Sequence, residues 1–373
     1  MTIQTVINNK NSMILCTDIR QTIDDYKSYI GVKKIFEIKE NTPYGIMING
    51  LMEFEGVPLE TLIGEFKQNL NEFDDIKKIK KELITFLSES TPHTSTDDYL
   101  TEVLEPFKIR LNESIEEDGF KYAIDNKSFT LIPTFVKEYS NFDSEFHDLI
   151  PEGYDEEEYN LKIWRIFSHE LNFEGSQIIL AGYNKKHHYG SLFVFNIYYN
   201  NYGEIILKET ESIENCDEPY IRVYAMNEEA YAFITGVSSD FEEYIKSHIR
   251  DTDEEILMNM EWYLKDNDFE NYKDILEVLK KELNNKFFDL IQTIDTFKID
   301  MLEDTSYSCE YVPRQLLCDF ADSLIKLTAL KQKLSLDLET VSSESDMALI
   351  TKTGNFKWIK YNEEIVQIQL KTI

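Results

Sequence analysis

Over the first 50 residues, apolar and polar positions follow the pattern of short strands separated by polar turns. Residues 2–7 and 12–17 are β-branched or apolar runs on either side of a turn cluster at 8–11. This arrangement predicts a β-hairpin. Two further apolar runs, at 34–38 and 45–48, predict two more strands.

After residue 58 the apolar period changes from that of a strand to that of a helix. Apolar residues recur every three or four positions, which predicts helices over 59–70 and 75–87. The tract 240–295 is also helical in pattern, with a break near 266–268. Other predicted helices lie at 99–115 and 312–334. The remaining predicted strands lie at 176–182, 191–198, 204–208, 221–224, 230–235, 346–351 and 356–359.

This order of elements indicates an α+β layered fold. Strands are followed by two helices, then by strands, helices and a final hairpin. We therefore expect one domain over residues 1–373, enlarged by two insertions. One insertion covers residues 88–170, and the other covers residues 246–312 and is mainly helical.

Charge excludes several classes of partner. The 373 residues carry 70 acidic and 38 basic side chains, a formal net charge of −32. Non-specific nucleic-acid binding and attachment to anionic membranes both need a basic surface, so neither is expected. Apolar residues make up 42% of the chain, enough for a sizeable core. Much of the acidic excess lies in or near the two insertions.

The cysteines and the first residues favour a soluble cytoplasmic protein. Four cysteines lie far apart without a CxxC pair, which is typical of a reducing compartment. No signal peptide and no membrane-spanning segment is predicted. Motifs for phosphate loops, dinucleotides and α/β-hydrolases are absent, and no cofactor is expected. His187 and His188 lack further ligands at metal spacing, so no metal site is expected.

The candidate nucleophile is Thr2. A small second residue permits removal of Met1, which would give Thr2 a free α-amine beside its hydroxyl. An α-amine has a pKa of about 8, so its neutral form can accept the hydroxyl proton at physiological pH. Nucleophile and base would then share one residue. By itself this signal is weak, because many proteins begin with Met and a small residue.

A motif after Thr2 strengthens this hypothesis. Asp18-Ile19-Arg20 closes the hairpin, Thr22 follows, and residues 32–38 read Val-Lys-Lys-Ile-Phe-Glu-Ile. In type and spacing these residues resemble proteasome β-subunits and the bacterial HslV peptidase, which are N-terminal-nucleophile (Ntn) hydrolases. The resemblance covers about residues 1–87, 174–245 and 313–360. It implies a four-layer αββα sandwich of two mostly antiparallel sheets.

The resemblance also implies roles for the residues of the motif. Lys34 would be a buried cation beside the Thr2 hydroxyl and would depress the pKa of nearby amines. Asp18 would pair with Lys34, and Arg20 would brace that carboxylate. Thr22 would offer backbone groups to an extended substrate. The alternative is a salt bridge between Asp18 and Arg20 at the hairpin end, with the lysines on an exposed strand edge.

At three places the chain departs from the family pattern. Asn49, followed by Gly50, stands where the family has its oxyanion glycine, although a backbone N–H of either residue can still donate. Val237 stands where a supporting serine is expected, and Ser238 is its nearest substitute. Residues 339–342 match a late Asp-x-x-Ser element weakly, with Glu339 in place of aspartate.

Two functions follow from these features. The first is a threonine hydrolase that cleaves peptide or amide bonds through an acyl-enzyme after Met1 is removed. The second is a catalytically inactive assembly or binding protein on the same fold, suggested by the three departures and by the insertions. Since members of the family form rings, the resemblance also implies a homo-oligomer.

Overall fold

The computed structural model describes residues 2–23, 27–54, 57–70, 75–89, 174–199, 205–267, 269–335 and 339–361. Most of the first predicted insertion, including the helix predicted at 99–115, lies outside these residues. The chain divides into two compact units, formed by the described parts of Met1–Val32, Asp217–Leu349 and Trp358–Ile373, and of Lys33–Cys216 and Ile350–Lys357. The prediction of one domain with two insertions stays a prediction.

The first unit is built on a sheet of five strands, which are β1 Ile3–Asn9, β2 Ser12–Asp18, β12 Tyr220–Ala225, β13 Ser345–Thr351 and β14 Asn355–Lys360. Their order across the sheet is β12-β1-β2-β13-β14. β1 pairs antiparallel with both β2 and β12. β1 and β2 are buried along their whole length, including the polar residues Gln4, Thr5, Asn8 and Asn9 of β1. A small hairpin of β3 Arg20–Ile23 and β4 Lys27–Ile30 follows β2.

Four helices complete the first unit: α3 Glu228–Thr235, α4 Ser239–Asp266, α5 Tyr272–Ser308 and α6 Arg314–Leu334. Apolar residues of β1, β2 and β12 form one core with α3 and α6. Ile7, Ile14 and Ile221 represent the sheet in this core, and Leu317 and Ile325 represent α6. α4 and α5 pack as an antiparallel pair, with Lys298 bonded to Glu242 at 2.7 Å.

The second unit is built on a sheet whose strands are β5 Ile35–Glu37, β6 Tyr44–Gly50, β9 Glu174–Tyr183, β10 Gly190–Tyr199 and β11 Ile205–Cys216. Their order across the sheet is β11-β10-β9-β6-β5. Neighbouring strands are antiparallel. Two helices, α1 Leu59–Asn69 and α2 Ile76–Glu89, share a core with this sheet. The short strands β7 Glu53–Phe54 and β8 Val57–Pro58 lead into α1.

The α+β class with mostly antiparallel sheets is therefore confirmed, and so are most of the predicted elements. One prediction was wrong, because residues 230–235 form helix α3 and not a strand. The short apolar run is compatible with the period of a strand or of a helix, and the residues at its ends favour the helix. Glu228 and Glu229 occupy the first turn, and Gly236 ends the helix in the left-handed conformation at φ 76°. The hairpins β3–β4 and β7–β8 were not predicted.

Candidate functional site

The hydroxyl of Thr2 donates a hydrogen bond to Oδ1 of Asp18. Thr2 lies just before β1, and Asp18 is the last residue of β2. The register of the hairpin brings the start of one strand beside the end of the other. Both side chains are buried, and Thr2 is 5% exposed. The predicted nucleophile and the predicted acid of the motif are therefore in direct contact.

Three backbone N–H groups also donate to the Asp18 carboxylate. Ile3 N donates to Oδ1 at 3.1 Å, while Arg20 N and Ser342 N donate to Oδ2 at 3.0 and 3.2 Å. With the Thr2 hydroxyl, each carboxylate oxygen accepts at least two hydrogen bonds. This arrangement holds Asp18, and through it the Thr2 hydroxyl, in one orientation.

Arg20 connects this carboxylate to the late segment 339–342. Its guanidinium Nη1 donates to the carbonyl oxygen of Glu339 at 2.7 Å and lies 3.4 Å from the Glu339 carboxylate. Ser342, three residues later, donates its N–H to Asp18. Gln332 of α6 also fixes this segment, because its Oε1 accepts from the N–H groups of Thr340 and Val341 at 2.9 Å. The weak motif at 339–342 thus belongs to the Thr2–Asp18 site.

Lys34 lies in the second unit, just before β5. It is 1% exposed, so the alternative of an exposed strand edge is wrong for this residue. Its carbonyl oxygen accepts from the N–H of Ile48 at 3.0 Å. A buried ammonium requires compensation by charge or hydrogen bonds. The role predicted for Lys34 in tuning Thr2 stays a prediction.

Asn49 and Gly50 have structural roles in the second unit. The Asn49 amide donates to Gln177 Oε1 at 3.0 Å, and the Gln177 amide donates to Asn196 Oδ1 at 3.0 Å. Gly50 has φ 84°, and a Cβ at this position would lie 2.5 Å from the carbonyl oxygen of Gly175. A side chain is therefore excluded at residue 50 by conformation and by space. Their predicted role as oxyanion donors stays a prediction.

The two other predicted residues lie in the first unit. Ser238 is the N-cap of α4, where its hydroxyl accepts from Phe241 N at 3.2 Å. This contact gives Ser238 a structural role, and its supporting role at the site stays a prediction. Thr22 lies in β3, paired with Ser28 of β4. The contribution of its backbone to substrate binding also stays a prediction.

A cavity of about 460 Å³ in the second unit was not predicted from sequence. Lys39, Lys185 and Lys352 line it with a single acidic residue, Glu40, so its lining is basic in a strongly acidic chain. Lys352 donates to the carbonyl oxygens of Asn184 and His187. Burial lowers the pKa of Lys352. These contacts fix the turn between β9 and β10.

The described residues contain no group of three or more His, Cys, Asp or Glu side chains placed to hold a metal ion. His187 and His188 lie exposed in the turn after β9. Over the same described ranges, no helix has the length and apolar character needed to cross a membrane.

Comparison with known proteins corrects the predicted family. No family model matches the chain. No curated protein matches it either. A solved structure described as an Anbu (Gly-1) mutant from Hyphomicrobium sp. strain MC1 is similar over 100% of this chain and 94% of that chain, at 8% identity and a TM-score of 0.38. Similarity this distant carries no information about activity.

The assignment to the proteasome β-subunit and HslV family is therefore wrong. The motif that suggested it also has a local structural explanation. Asp18 accepts hydrogen bonds from backbone groups at the hairpin end, and the guanidinium of Arg20 anchors Glu339. These contacts give Asp18 and Arg20 structural roles, so the two residues at this spacing do not by themselves imply the chemistry of that family.

Proposed function

We propose that the protein is a hydrolase of amide bonds whose nucleophile is the hydroxyl of Thr2, after removal of Met1. The observation that supports this proposal most is the hydrogen bond from Thr2 Oγ1 to a buried carboxylate that also accepts from three backbone N–H groups. This bond holds the Thr2 hydroxyl in one orientation before the reaction.

The α-amine of Thr2 is the better candidate for the base. An α-amine has an ordinary pKa of about 8, so its neutral form can accept the hydroxyl proton at physiological pH. Rotation about the Cβ–Oγ1 bond would turn the hydroxyl proton from Asp18 to the amine, which would accept it as Oγ1 attacks the substrate carbonyl. The C–N bond then breaks, and the leaving nitrogen takes that proton. Water hydrolyses the resulting ester and regenerates Thr2.

Covalent capture tests this function. We expect a threonine-directed electrophile to add one label to Thr2, seen by peptide mass spectrometry, and N-terminal sequencing to begin at Thr2. Thr2→Ala should abolish the label, and Thr2→Ser should keep it. Thr5→Ala is the matched control, since Thr5 is also buried in this hairpin and should leave labelling unchanged. Equal labelling of wild type and Thr2→Ala, or full retention of Met1, would reject the proposal.

One observation favours the second function, a catalytically inactive binding protein. Thr2 is 5% exposed and its carbonyl oxygen accepts from Met226 N at 2.9 Å, so this segment is built into the sheet. Under this alternative the Thr2–Asp18 contact is structural. Absence of labelling by a broad electrophile set, with Thr2→Ala lowering stability, would support it.

A further inference from the structure

Helices α4 and α5 form an antiparallel two-helix arm with almost no interior. Of its 28 and 37 residues, only Leu264 and Ser306 are buried. The two helices meet along one half-buried stripe, where Ile249 and Leu257 of α4 lie. Arg250 of α4 lies over the ring of Phe287 of α5 at 5.1 Å. Helices this long derive most of their stability from packing, and here one side of α4 packs on α5.

The opposite face of α4 carries a second stripe, which we call the outer stripe. Its members recur with alternating spacings of three and four residues, which places them along one face of the helix. They are Phe241, Tyr244, His248, Asp251, Glu255, Met258 and Trp262. All seven are exposed, and the apolar side chains at its ends are 56% exposed for Phe241, 63% for Tyr244, 67% for Met258 and 69% for Trp262. Tyr244 and His248 stack with ring centroids 6.0 Å apart.

Two copies of the outer stripe present matching residue types to each other when the second copy runs in the opposite direction. Placed antiparallel against its own copy about Asp251, Phe241 meets Trp262, Tyr244 meets Met258 and His248 meets Glu255. Each end thus pairs an aromatic ring with a large apolar side chain, and the imidazole can donate to the carboxylate. A twofold interface has this property, because each contact occurs twice with the partners exchanged.

The exposed area is sufficient for association. The four apolar side chains expose on the order of 500 Å² per chain, divided between the two ends of the stripe. Two copies would remove on the order of 1,000 Å² of apolar surface from water before the polar rim is included, which reaches the lower range of specific interfaces. Within the described residues, His248 and Glu255 make no ion pair in their own chain that would compete.

We propose that the outer stripe of α4 is the seam of an antiparallel homodimer, in which the arm of a second copy covers it. The partner is a copy of this chain because the ends of the stripe complement each other in aromatic content and His248 meets Glu255, while Asp251 meets its own copy at the centre. This proposal is independent of the chemistry of Thr2. It gives the predicted homo-oligomer an interface in the second insertion.

Sedimentation equilibrium of the full chain tests the proposal. We expect wild type to dimerise and Met258→Glu with Trp262→Glu to raise the dissociation constant at least tenfold. The matched control is Val278→Glu with Phe288→Glu on α5, whose side chains are equally exposed outside the outer stripe and whose replacement should change the constant less than twofold. Unchanged far-UV circular dichroism would confirm that each variant folds. A monomeric wild type, or a dimer insensitive to changes at 258 and 262, overturns the proposal.

Two further variants test the antiparallel geometry. Asp251→Cys places a thiol beside its own copy and should give an intermolecular disulfide under mild oxidation, whereas Glu282→Cys on α5 should not. His248→Glu should weaken the dimer, and adding Glu255→His to the same chain should restore it, because the exchanged pair meets again. Failure of both the crosslink and the rescue overturns the antiparallel seam.

Discussion

The backbone N–H of Ser342 donates to Oδ2 of Asp18 at 3.2 Å, across 324 positions of sequence. This bond completes a carboxylate that also accepts from Thr2, Ile3 and Arg20. The beginning and the end of the chain therefore share one buried acceptor. The stability of the first unit and the orientation of Thr2 depend on the same group.

Replacing Asp18 by Asn should be costly. The amide keeps the shape but presents an NH₂ group to backbone donors, which leaves at least one N–H buried and unpaired. We expect Asp18→Asn to lower the free energy of unfolding by about 3 kcal/mol in urea titrations. Glu344→Gln, an exposed carboxylate two residues after Ser342, should cost less than about 0.5 kcal/mol. Equal effects would contradict the role assigned to Asp18.

The two contacts of Arg20 should contribute differently to the free energy of unfolding. Its guanidinium donates to the half-buried Glu339 carbonyl, while the Glu339 carboxylate is 40% exposed. We expect Arg20→Ala to cost about 1–2 kcal/mol, since the carbonyl loses its charged donor. Glu339→Gln should cost at most about 0.5 kcal/mol, because exposed ion pairs contribute little. Chemical unfolding of both variants checks this order, and a larger cost for Glu339→Gln would reverse our assignment.

Gly50 should be needed for its conformation. At φ 84°, with a Cβ 2.5 Å from Gly175 O, Gly50→Ala is strained and crowded. We expect a loss of about 2 kcal/mol or more in thermal or urea unfolding. Gly64→Ala is the control, because nothing lies within 4 Å of a Cβ at that helical position. It should stabilise α1 by up to about 1 kcal/mol, and equal effects of the two changes would refute the argument.

Asp322 should make stability dependent on acid pH. Burial raises the pKa of Asp322, but hydrogen bonds from Lys326, Ser345 and Lys360 outweigh it and hold the pKa below its usual value. A lowered pKa in the folded state stabilises the protein above the unfolded carboxyl pKa of about 3.9, and this contribution is lost as the pH falls through the folded value. Asp322→Asn should therefore be less stable than wild type at pH 7.

The difference between Asp322→Asn and wild type should narrow below about pH 4, where the unfolded carboxyl also becomes protonated. Urea unfolding between pH 2 and 7 measures it. Asp319→Asn, an exposed change one turn away on α6, is the control and should change the free energy of unfolding at pH 7 by less than about 0.5 kcal/mol. A difference that stays constant with pH would mean that charge at Asp322 does not matter.

Three thiols should be unreactive in the folded protein. Cys16, Cys309 and Cys318 are buried, and burial raises the pKa of each. Because the buried thiols resist ionisation, the stability of the fold is fully retained below the unfolded thiol pKa of about 8.5 and declines as the pH rises above it. At pH 8 a thiol reagent should label the half-buried Cys216 first and all four cysteines after unfolding. Rapid labelling of two or more native thiols would contradict this expectation.

The sequence by itself determined the local elements and the register of the first hairpin. The hairpin β1–β2, the helices α1, α2 and α6, and the break between α4 and α5 follow from apolar period and turn residues, which act over a few positions. The short turn of the hairpin places Thr2 beside Asp18, although the motif predicted that Asp18 pairs with Lys34.

Only the tertiary structure decided the rest. Ser342 reaches Asp18, and Arg20 reaches Glu339, through the pairing of distant strands, which no local pattern encodes. Residues 230–235 form a helix because the acidic residues of its first turn and Gly236 at its end favour a helix, while the apolar run itself is compatible with a helix or a strand. The spacing of the outer stripe is written in the sequence, but its exposure depends on which side of α4 packs against α5. Burial is a property of the packed chain, so periodicity can place a side chain on a face without showing whether that face is covered.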